Sequence, residues 1–436
     1  MKTIIMAGGK GTRIASVKSD VPKPMIPIAG KPILEWQIEN LRNCGLTDVT
    51  LVIGHLGHII QEYFGDGSKF GVNIDYFVED TPLGTAGALF KMNLTDDFLL
   101  LCGDVIIDVD FNRFIEFHKK NKAWTSLMAH PNGHPYDSSV LVTQISQITQ
   151  KNGDQVPVDT HRVIRWMNKE DERLYYKNRV NAGIEIISPE LLREVRSKME
   201  EGREKMDLDR DVLKPNIDSG RIYAYDTPEY IKDMGTPDRF YEAEEDIKSG
   251  KVHARNLSQK QKAIFLDRDG TINKYVGFLT KHEQFELIEG AAEAIHQINK
   301  SGYLAIVVTN QPVIARGDST WEELQQIHDK METELGKFGA FVDGIYICPH
   351  HPDKGFEGER PEYKHECACR KPKAGLLLNA AKDFNIDLSQ SFMIGDSDRD
   401  VEAGKNAGCK ESIQIETNKP NALSEAFEHI LLMSDV

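Results

Sequence analysis

Short apolar runs that end in glycine or aspartate recur along this 436-residue chain and alternate with segments of helical periodicity. Four of them cover residues 3–6, 98–102, 264–266 and 392–394. Runs of this length predict buried strands, and strands that alternate with helices predict parallel α/β sheets. Ligands of such sheets bind at the carboxyl ends of the strands, so the polar residues there are the candidate functional residues. The pattern predicts an α/β protein, and the length predicts two or three domains.

Composition excludes several classes of partner. Hydrophobic residues make up 40% and charged residues 28%, and the net charge is −15. An acidic chain does not favour nucleic acid or an anionic membrane as the main partner. No signal peptide pattern and no apolar stretch of transmembrane length is present. We expect a cytoplasmic protein that binds small phosphorylated molecules, and its oligomeric state stays open.

A glycine-rich loop follows the first strand and holds several candidate phosphate-binding residues, namely Gly8, Gly9, Gly11, Thr12 and Arg13. Glycines let the backbone approach a phosphate and offer N–H donors to it, although plain tight turns use the same residues. The spacing is not that of a P-loop. Lys23 lies between two prolines, which predict an extended segment that holds this lysine close to the loop. The alternative for Lys23 is a solvated surface lysine.

Further blocks of the first half also carry candidate ligands. Small residues at positions 84–87, namely Gly84, Thr85, Ala86 and Gly87, suit close contact with a flat base or a sugar, or tight helix packing. Asp104 follows an apolar strand and is placed to hold a divalent cation. We interpret Asp108 and Asp110 as caps of a helix over residues 111–119. Residues 144–160 are polar and predict a hairpin or a loop.

These blocks resemble those of the sugar-1-phosphate nucleotidyltransferases over residues 1–245. The matching blocks are, in order, MAGGKGTR, PKPM-P, PLGTAGAL, LCGD, NAGIEII and DMGTP. The resemblance implies that the glycine loop holds a nucleoside triphosphate, that Arg13 and Lys23 act catalytically on its phosphates, and that residues 84–87 contact the base and sugar. It also implies Mg²⁺ on Asp104 and Asp233.

The resemblance further implies a sugar site. Asn181 and Gly183 would line it, and a lysine between Asp104 and Asn181 would meet the sugar phosphate. Lys169 is the nearest match, although this chain reads Asn-Lys-Glu where the family usually reads Glu-Lys-Pro.

Two carboxylates stand at the end of the strand at residues 264–266. Asp267 there can attack phosphorus and form an aspartyl phosphate. Asp269, two residues on, lies on the same side of an extended chain and can pass a proton. Two aspartates in a turn are alternatively caps.

Later strand ends add polar residues that suit the same chemistry. Thr309 and Asn310 can bond a phosphoryl oxygen, and Lys371 can offset the charge of an attacking aspartate. Asp396 at the last strand end is a natural Mg²⁺ ligand, and Asp400 is either a cap or a second acid.

Four sulfur and nitrogen donors stand in two tight pairs: Cys348 with His350, and Cys367 with Cys369. This set is the one that tetrahedral structural zinc prefers, and zinc would pin a long loop that has no core of its own. His351 is the rival of His350, and the alternative to a metal site is two unrelated thiol clusters.

The order DxDGT, TN, RKP and GDxxxD over residues 262–430 resembles the haloacid dehalogenase phosphatases, and the CPHH and CxCRKP blocks resemble their heptose-bisphosphate and histidinol-phosphate branches. The resemblance implies Asp267 as nucleophile and Asp269 as acid and base. It places Mg²⁺ on Asp267, Asp396 and the Asp269 carbonyl. It places Asn310, Arg370 and Lys371 on the phosphates. Ser397 stands where heptose-bisphosphate phosphatases often carry lysine.

The two resemblances together imply two Rossmann-like domains, a nucleotidyltransferase with a mixed sheet at residues 1–245 and a phosphatase with a parallel sheet and a zinc loop at residues 262–436. Residues 246–261 are predicted to link them. The expected function is removal of the 7-phosphate from a heptose 1,7-bisphosphate, followed by transfer of GMP from GTP to the 1-phosphate. The alternatives are a histidinol-phosphate-type phosphatase fused to a transferase for another hexose 1-phosphate, and a non-catalytic regulator.

Overall fold

The computed structural model describes residues 1–8, 21–149 and 155–434. Gly9, Gly11, Thr12 and Arg13 therefore lie outside the described residues, and their predicted roles stay predictions. No helix of the described ranges is both long and apolar enough to cross a membrane.

The first part of the chain forms a large mixed sheet flanked by helices. Its strands are β1 (Lys2–Met6), β2 (Pro27–Ile28), β3 (Lys31–Pro32), β4 (Asp48–Ile53), β5 (Asn73–Val78), β6 (Phe98–Cys102), β7 (Val105–Asp108), β8 (Thr125–His130), β9 (Val140–Thr149), β10 (Gln155–Met167), β11 (Val180–Ile187), β12 (Ile222–Asp226) and β13 (Tyr230–Asp233). Its helices are α1 (Ile33–Asn43), α2 (Gly57–Phe64), α3 (Phe111–Asn121), α4 (Pro189–Lys198), α5 (Pro237–Lys248) and α6 (Lys251–Ala254).

Nine of these strands form one sheet in the order β5-β4-β1-β6-β11-β8-β12-β10-β9. Strand β1 runs parallel to β4 and β6, whereas β11 runs antiparallel to β6 and β8. Apolar side chains fill a core on each face of the sheet. A separate ribbon pairs β7 with β13 and places Asp233 opposite Val105. The mixed sheet confirms the fold class predicted for this half.

The last part of the chain forms a smaller sheet. Its strands are β14 (Lys262–Leu266), β15 (Tyr303–Asn310), β16 (Gly344–Cys348), β17 (Phe392–Gly395) and β18 (Glu411–Gln414), in the order β16-β15-β14-β17-β18. All pairings are parallel. Its helices are α7 (Ala291–Lys300), α8 (Val313–Arg316), α9 (Trp321–Gly336), α10 (Gly375–Asp383), α11 (Asp398–Ala407) and α12 (Ala422–Ser434). The parallel sheet was predicted correctly.

Local predictions mostly agree with the structure, with two corrections besides β18, which follows the strand that was predicted as the last. Residues 144–149 and 155–160 lie in the paired strands β9 and β10, and residues 150–154 lie outside the described residues. Asp110 caps α3 by accepting from Asn112 N at 3.1 Å. The proline segment around Lys23 is wrong as an extended chain, because Lys23–Met25 forms a 3₁₀ turn. Proline fixes φ near the value of a 3₁₀ turn and lacks only an N–H that the first turn leaves free.

The second correction concerns Asp108, which does not cap α3. Its carboxylate accepts from Asn256 Nδ2 at 2.6 Å and lies 2.9 Å from His253 Nδ1. Both partners belong to the segment predicted as a linker. That segment is folded: Val252 and Leu257 are buried, and Gln261 N donates to Asn385 O at 3.0 Å. The junction is therefore joined by hydrogen bonds to both halves of the chain.

Candidate active sites

Asp267 and Lys371 form a buried ion pair at the carboxyl end of the small sheet. Asp267 follows β14 directly, and Lys371 Nζ lies 2.8 Å from its Oδ1 and 2.6 Å from Asp400 Oδ1. The side chain of Lys371 is only 2% exposed. Burial raises the pKa of Asp267 to about 7, while the charge of Lys371 works in the opposite direction. The lysine thus favours the ionised form of Asp267, which the predicted role of this residue as a nucleophile requires.

Asn310 holds the backbone of Lys371 in place. Its Nδ2 donates to Lys371 O at 3.0 Å, and its Oδ1 accepts from Lys371 N at 3.0 Å. Arg370 is also tied down, because its Nη1 donates to His350 O at 2.9 Å. The structure thus brings these three predicted phosphate ligands together and shows how two of them are oriented.

Asp269 lies among hydrogen-bond donors that stabilise its ionised form. Its carboxylate is 2.8 Å from Arg268 Nη2 and accepts from Asn273 Nδ2 at 3.0 Å and from Gln311 Nε2 at 2.9 Å. Burial opposes ionisation, but the Arg268 charge and these hydrogen bonds lower the pKa of Asp269 below its usual value. An ionised Asp269 is ready to accept a proton.

Gln311 was missed by sequence reasoning and joins two predicted residues. Its amide donates to Asp269 and also to Thr309 Oγ1 at 2.9 Å. Thr309 itself is fully buried, and its predicted contact with a phosphoryl oxygen stays a prediction. The available signal was position, since Gln311 follows Thr309 and Asn310 at the same strand end.

Three carboxylates near Lys371 form a possible cation site: Asp267, Asp396 and Asp400 offer oxygens within 4.8 Å of one another. Asp400 is already engaged, because it pairs with Lys371 and accepts from Ser397 Oγ at 2.6 Å. Gly270 has φ +84°, and a Cβ there would lie 2.1 Å from Asp396 Oδ2. Glycine thus permits the approach of Asp396, and the oxygen donors of Asp267 and Asp396 suit Mg²⁺.

The predicted zinc ligands converge in space. Cys348, His350, Cys367 and Cys369 place their donor atoms within 4.8 Å of one another. Cys369 Sγ lies 3.2 Å from Cys367 Sγ and 3.3 Å from His350 Nδ1. His351 does not belong to this group of described residues, so the geometry favours His350 over His351. Three thiols and one imidazole fit tetrahedral zinc.

The large sheet carries a second polar crevice around Asp104 and Asp233. Lys23 Nζ lies 2.5 Å from Asp104 Oδ2. Met234 N donates to Asp104 O at 3.0 Å, which places Asp233 beside it. Arg239, which the sequence analysis did not single out, contacts both Asp233 oxygens at 2.8 and 2.9 Å. The structure brings the two predicted magnesium ligands together, each beside a cation, and their oxygen donors suit Mg²⁺.

A cavity of about 860 Å³ extends from this crevice. Asp104, Asp233, Asn181, Gly183 and Lys169 line it, so the predicted sugar-site residues share one space.

Glu185 also lines this cavity and was not predicted. It is buried, and this burial raises its pKa well above the usual value. Its only sequence signal was membership of the NAGIEII block.

Residues 84–87 pack mainly against the protein itself. A Cβ at Gly84 would lie 2.3 Å from Met206 O, and one at Gly87 would lie 2.5 Å from Glu204 O. Ala86 N donates to Met206 O at 3.0 Å. Thr85 is the one of these four described residues that lines the cavity. The two glycines follow the packing alternative.

Comparisons with known proteins cover both sheets. The family model described as nucleotidyl transferase matches residues 2–250, and the one described as HAD-hydrolase-like matches residues 368–427. The D-glycero-beta-D-manno-heptose-1,7-bisphosphate 7-phosphatase of Pasteurella multocida (strain Pm70) is 46% identical over 37% of this chain and 84% of that protein. The phosphatase of the same name from Photorhabdus laumondii is 40% identical over 41% and 93%.

Among solved structures, HddC from Yersinia pseudotuberculosis complexed with GMP-PN is 25% identical, with a TM-score of 0.42, over 56% of this chain and 99% of that one.

Two sheets, each with its own polar crevice, define a transferase joined to a phosphatase. The chain belongs to the nucleotidyl transferase family, and its C-terminal part belongs to the family of D-glycero-beta-D-manno-heptose-1,7-bisphosphate 7-phosphatases.

Proposed function

We propose that this chain catalyses two successive steps of nucleotide-activated heptose synthesis. It removes the 7-phosphate of D-glycero-D-manno-heptose 1,7-bisphosphate and then transfers a nucleotidyl group to the remaining 1-phosphate. The observation that carries the first step is Lys371 held between Asp267 and Asp400 in a segment that is 46% identical to a heptose-bisphosphate phosphatase. The identity of its relatives favours this substrate over histidinol phosphate.

The phosphatase step uses Asp267 as the nucleophile. Its carboxylate attacks the phosphorus of the 7-phosphate, the bond from phosphorus to the sugar oxygen breaks, and an aspartyl phosphate forms. The ionised Asp269 takes a proton from the water that hydrolyses the intermediate, and it then passes this proton to the leaving oxygen in the next turnover. Lys371 and Arg370 bind the phosphate charge. Mg²⁺ on Asp267, Asp396 and the Asp269 carbonyl would supply further charge neutralisation.

The transferase step needs no covalent intermediate. An oxygen of the heptose 1-phosphate attacks the α-phosphorus of the nucleotide, and pyrophosphate leaves. Lys23 and Arg13 bind the nucleotide phosphates, and Asn181, Gly183 and Lys169 position the sugar phosphate. Asp104 and Asp233 would hold Mg²⁺ that stabilises the developing charge. We propose GTP as the nucleotide, from the resemblance to the D-glycero-D-manno-heptose branch.

We also propose that the Cys348, His350, Cys367 and Cys369 cluster binds a structural zinc ion. The proposed domains are residues 1–245 for the transferase and 262–436 for the phosphatase, with residues 246–261 between them.

Reciprocal variants of the full chain test the two steps. We expect Asp267→Asn to lower phosphate release from heptose 1,7-bisphosphate by at least about a thousandfold, because the nucleophile is lost. Pyrophosphate release from heptose 1-phosphate and GTP should stay at the wild-type rate. Lys23→Met should lower pyrophosphate release and leave phosphate release at the wild-type rate. Enzyme-coupled phosphate and pyrophosphate assays with Mg²⁺ and each nucleoside triphosphate in turn measure both rates.

Each part of the proposal can fail separately. Wild-type phosphate release by Asp267→Asn would contradict the nucleophile. Pyrophosphate release with a nucleotide other than GTP would contradict the guanylyl transfer. Release of phosphate from histidinol phosphate and not from the heptose would contradict the substrate.

A further inference from the structure

The cavity beside the predicted sugar site is lined by both halves of the chain. The transferase half contributes Asn181, Gly183 and Lys169, among others. The phosphatase half contributes six residues, which are His296, Asn299, Lys300, Gly339, Phe341 and Asp343. The phosphatase half and the predicted sugar-site residues thus line the same cavity.

These six residues lie near the amino ends of strands in the small sheet, at the opposite end of the strands from the phosphatase crevice. Three stand at the carboxyl end of α7, just before the amino end of β15, and three precede β16. Asp267 and Asn310 stand at the opposite, carboxyl ends of β14 and β15. Because all strands of this sheet are parallel, their amino ends lie on one side of the sheet and their carboxyl ends lie on the opposite side. The six residues that line the cavity are thus separate from the phosphatase site.

A backbone contact joins these six residues, which we call the wall, to the predicted metal ligands of the transferase half. A Cβ at Gly133 would lie 2.7 Å from Gly339 O, so the two backbone segments meet at a position where a side chain does not fit. The adjacent His134 contacts Arg239 Nη2 at 3.3 Å. Arg239 in turn holds Asp233. The loop at Gly133 therefore lies between the phosphatase half and the predicted magnesium ligand Asp233.

Buried hydrogen bonds hold the two halves in this arrangement. Asn178 N donates to Glu332 Oε2 at 2.7 Å, and Tyr176 N donates to Thr333 Oγ1 at 3.0 Å. Asn178 is two residues before β11, the strand that carries Asn181. The wall is thus fixed to the segment that leads into the sugar site.

Lys300 supplies the unmatched positive charge of this wall. Asp343 is paired with Arg255 at 3.2 Å, and the Asn299 amide is used in both directions by the backbone of Phe341 at 2.9 Å. His296 Nδ1 lies 2.9 Å from Gly339 O. Within the described part of the chain, Lys300 Nζ has no carboxylate oxygen within 4 Å. A free ammonium group at the edge of a sugar-phosphate cavity suits a phosphate oxygen.

We propose that the phosphatase half forms one wall of the transferase's acceptor site and that Lys300 is a specificity residue for the phosphorylated sugar. This inference rests on the proposed function of the transferase half. If the phosphatase half forms this wall, the shape of the transferase's acceptor site depends on the phosphatase half. The fusion of the two halves then completes a binding site.

Charge reversal on the full chain tests the wall. We expect Lys300→Glu to raise the KM for heptose 1-phosphate by about fivefold or more, because attraction becomes repulsion. The KM for GTP and the rate of phosphate release should not change. Lys405→Glu, an exposed lysine of the same half outside the cavity, is the matched control. Titration calorimetry with heptose 1-phosphate measures the same affinity without turnover.

A second pair of variants tests the contact between the halves. Gly133→Ala should lower pyrophosphate release by about tenfold while phosphate release stays unchanged, because a methyl group wedges the loop away from Gly339. Gly302→Ala is its control, since a Cβ there has no neighbour within 4 Å.

The outcomes separate this inference from the proposed reaction. Wild-type affinity for heptose 1-phosphate in both Lys300→Glu and Gly133→Ala would overturn the wall. A wild-type chain that binds heptose 1-phosphate but releases no pyrophosphate would contradict the reaction, and a fivefold loss of affinity in Lys300→Glu would still support the wall. A wild-type chain that does not bind heptose 1-phosphate would overturn both.

Discussion

At the scale of single residues, the phosphatase crevice depends on one buried cation. Lys371 neutralises Asp267 and Asp400, and Asn310 fixes its backbone. Two buried carboxylates without this lysine would repel each other in a poorly solvated space. The lysine thus contributes both to the charge state of Asp267, the proposed nucleophile, and to the stability of the fold around it.

We expect Lys371→Met to lower phosphate release by about a hundredfold or more, because the cation that faces both the nucleophile and the phosphate is lost. The same change should destabilise the chain by about 3 kcal/mol, since two buried carboxylates lose their partner. Phosphate release and chemical denaturation measure the two effects.

The matched control for this change is Lys373→Met. Lys373 is two residues away and forms an exposed pair with Glu366 at 2.6 Å, so both quantities should stay near the wild-type values. Equal phosphate release by Lys371→Met and Lys373→Met would contradict the role of the buried lysine.

At the scale of elements, the thiol cluster organises the loop after β16. Cys348 ends that strand, and Cys369 stands two residues before Lys371. Arg370 adds a second tie through the carbonyl of His350. A metal bound here would therefore restrain the segment that delivers Lys371 to Asp267.

We expect the purified chain to contain about one zinc ion and Cys369→Ser to lose it, because a tetrahedral site closed by four protein ligands loses affinity with one ligand gone. Phosphate release should fall by about tenfold or more, as the restraint on Lys371 weakens. Elemental analysis and phosphate release are the measurements.

Cys409→Ser is the control, since Cys409 lies outside the cluster. Full activity of a zinc-free Cys369→Ser chain would show that the loop positions Lys371 without metal.

At the scale of the whole molecule, a buried acid lies in the contact between the halves. Glu332 on α9 accepts from Asn178 N and faces Asp329 of the same helix, with Lys177 and Arg179 on the transferase side. Burial raises the pKa of Glu332 to about 7. The folded state therefore binds a proton at the Glu332 carboxyl more tightly than the unfolded state does.

A raised pKa in the folded state gives stability that is complete below the usual value and is lost as pH rises through about 7. We expect the wild-type chain to lose up to about 3 kcal/mol of stability between pH 5 and pH 8 from this group. Glu332→Gln should flatten that dependence, as thermal unfolding at several pH values would show.

The control for this prediction is Glu322→Gln, an exposed acid of the same helix. It should retain the wild-type pH dependence. A Glu332→Gln chain with the wild-type slope between pH 5 and pH 8 would contradict the assignment.

Much of this protein follows from the sequence alone. Strand ends that carry Asp104, Asp267 and Asp396 are local patterns, because a short apolar run followed by a polar residue has few ways to fold. The thiol pairs at Cys348 and Cys367 likewise indicate their site through ligand type and spacing. Most strands and helices were predicted correctly on this basis, and the mixed and parallel sheets that the family resemblances imply are confirmed. The predicted metal ligands lie together, and the binding of metal by them stays a proposal.

The tertiary structure alone decided the contacts between residues far apart in sequence. The clamp of Asn310 on Lys371, the Arg239 contact with Asp233 and the link from Asp108 to Asn256 have no sequence signature, because their partners meet only after the chain has packed. The meeting of Gly133 with Gly339 belongs to the same class. Local pattern sets which side chains reach a strand end, and packing of the two sheets sets which of them meet.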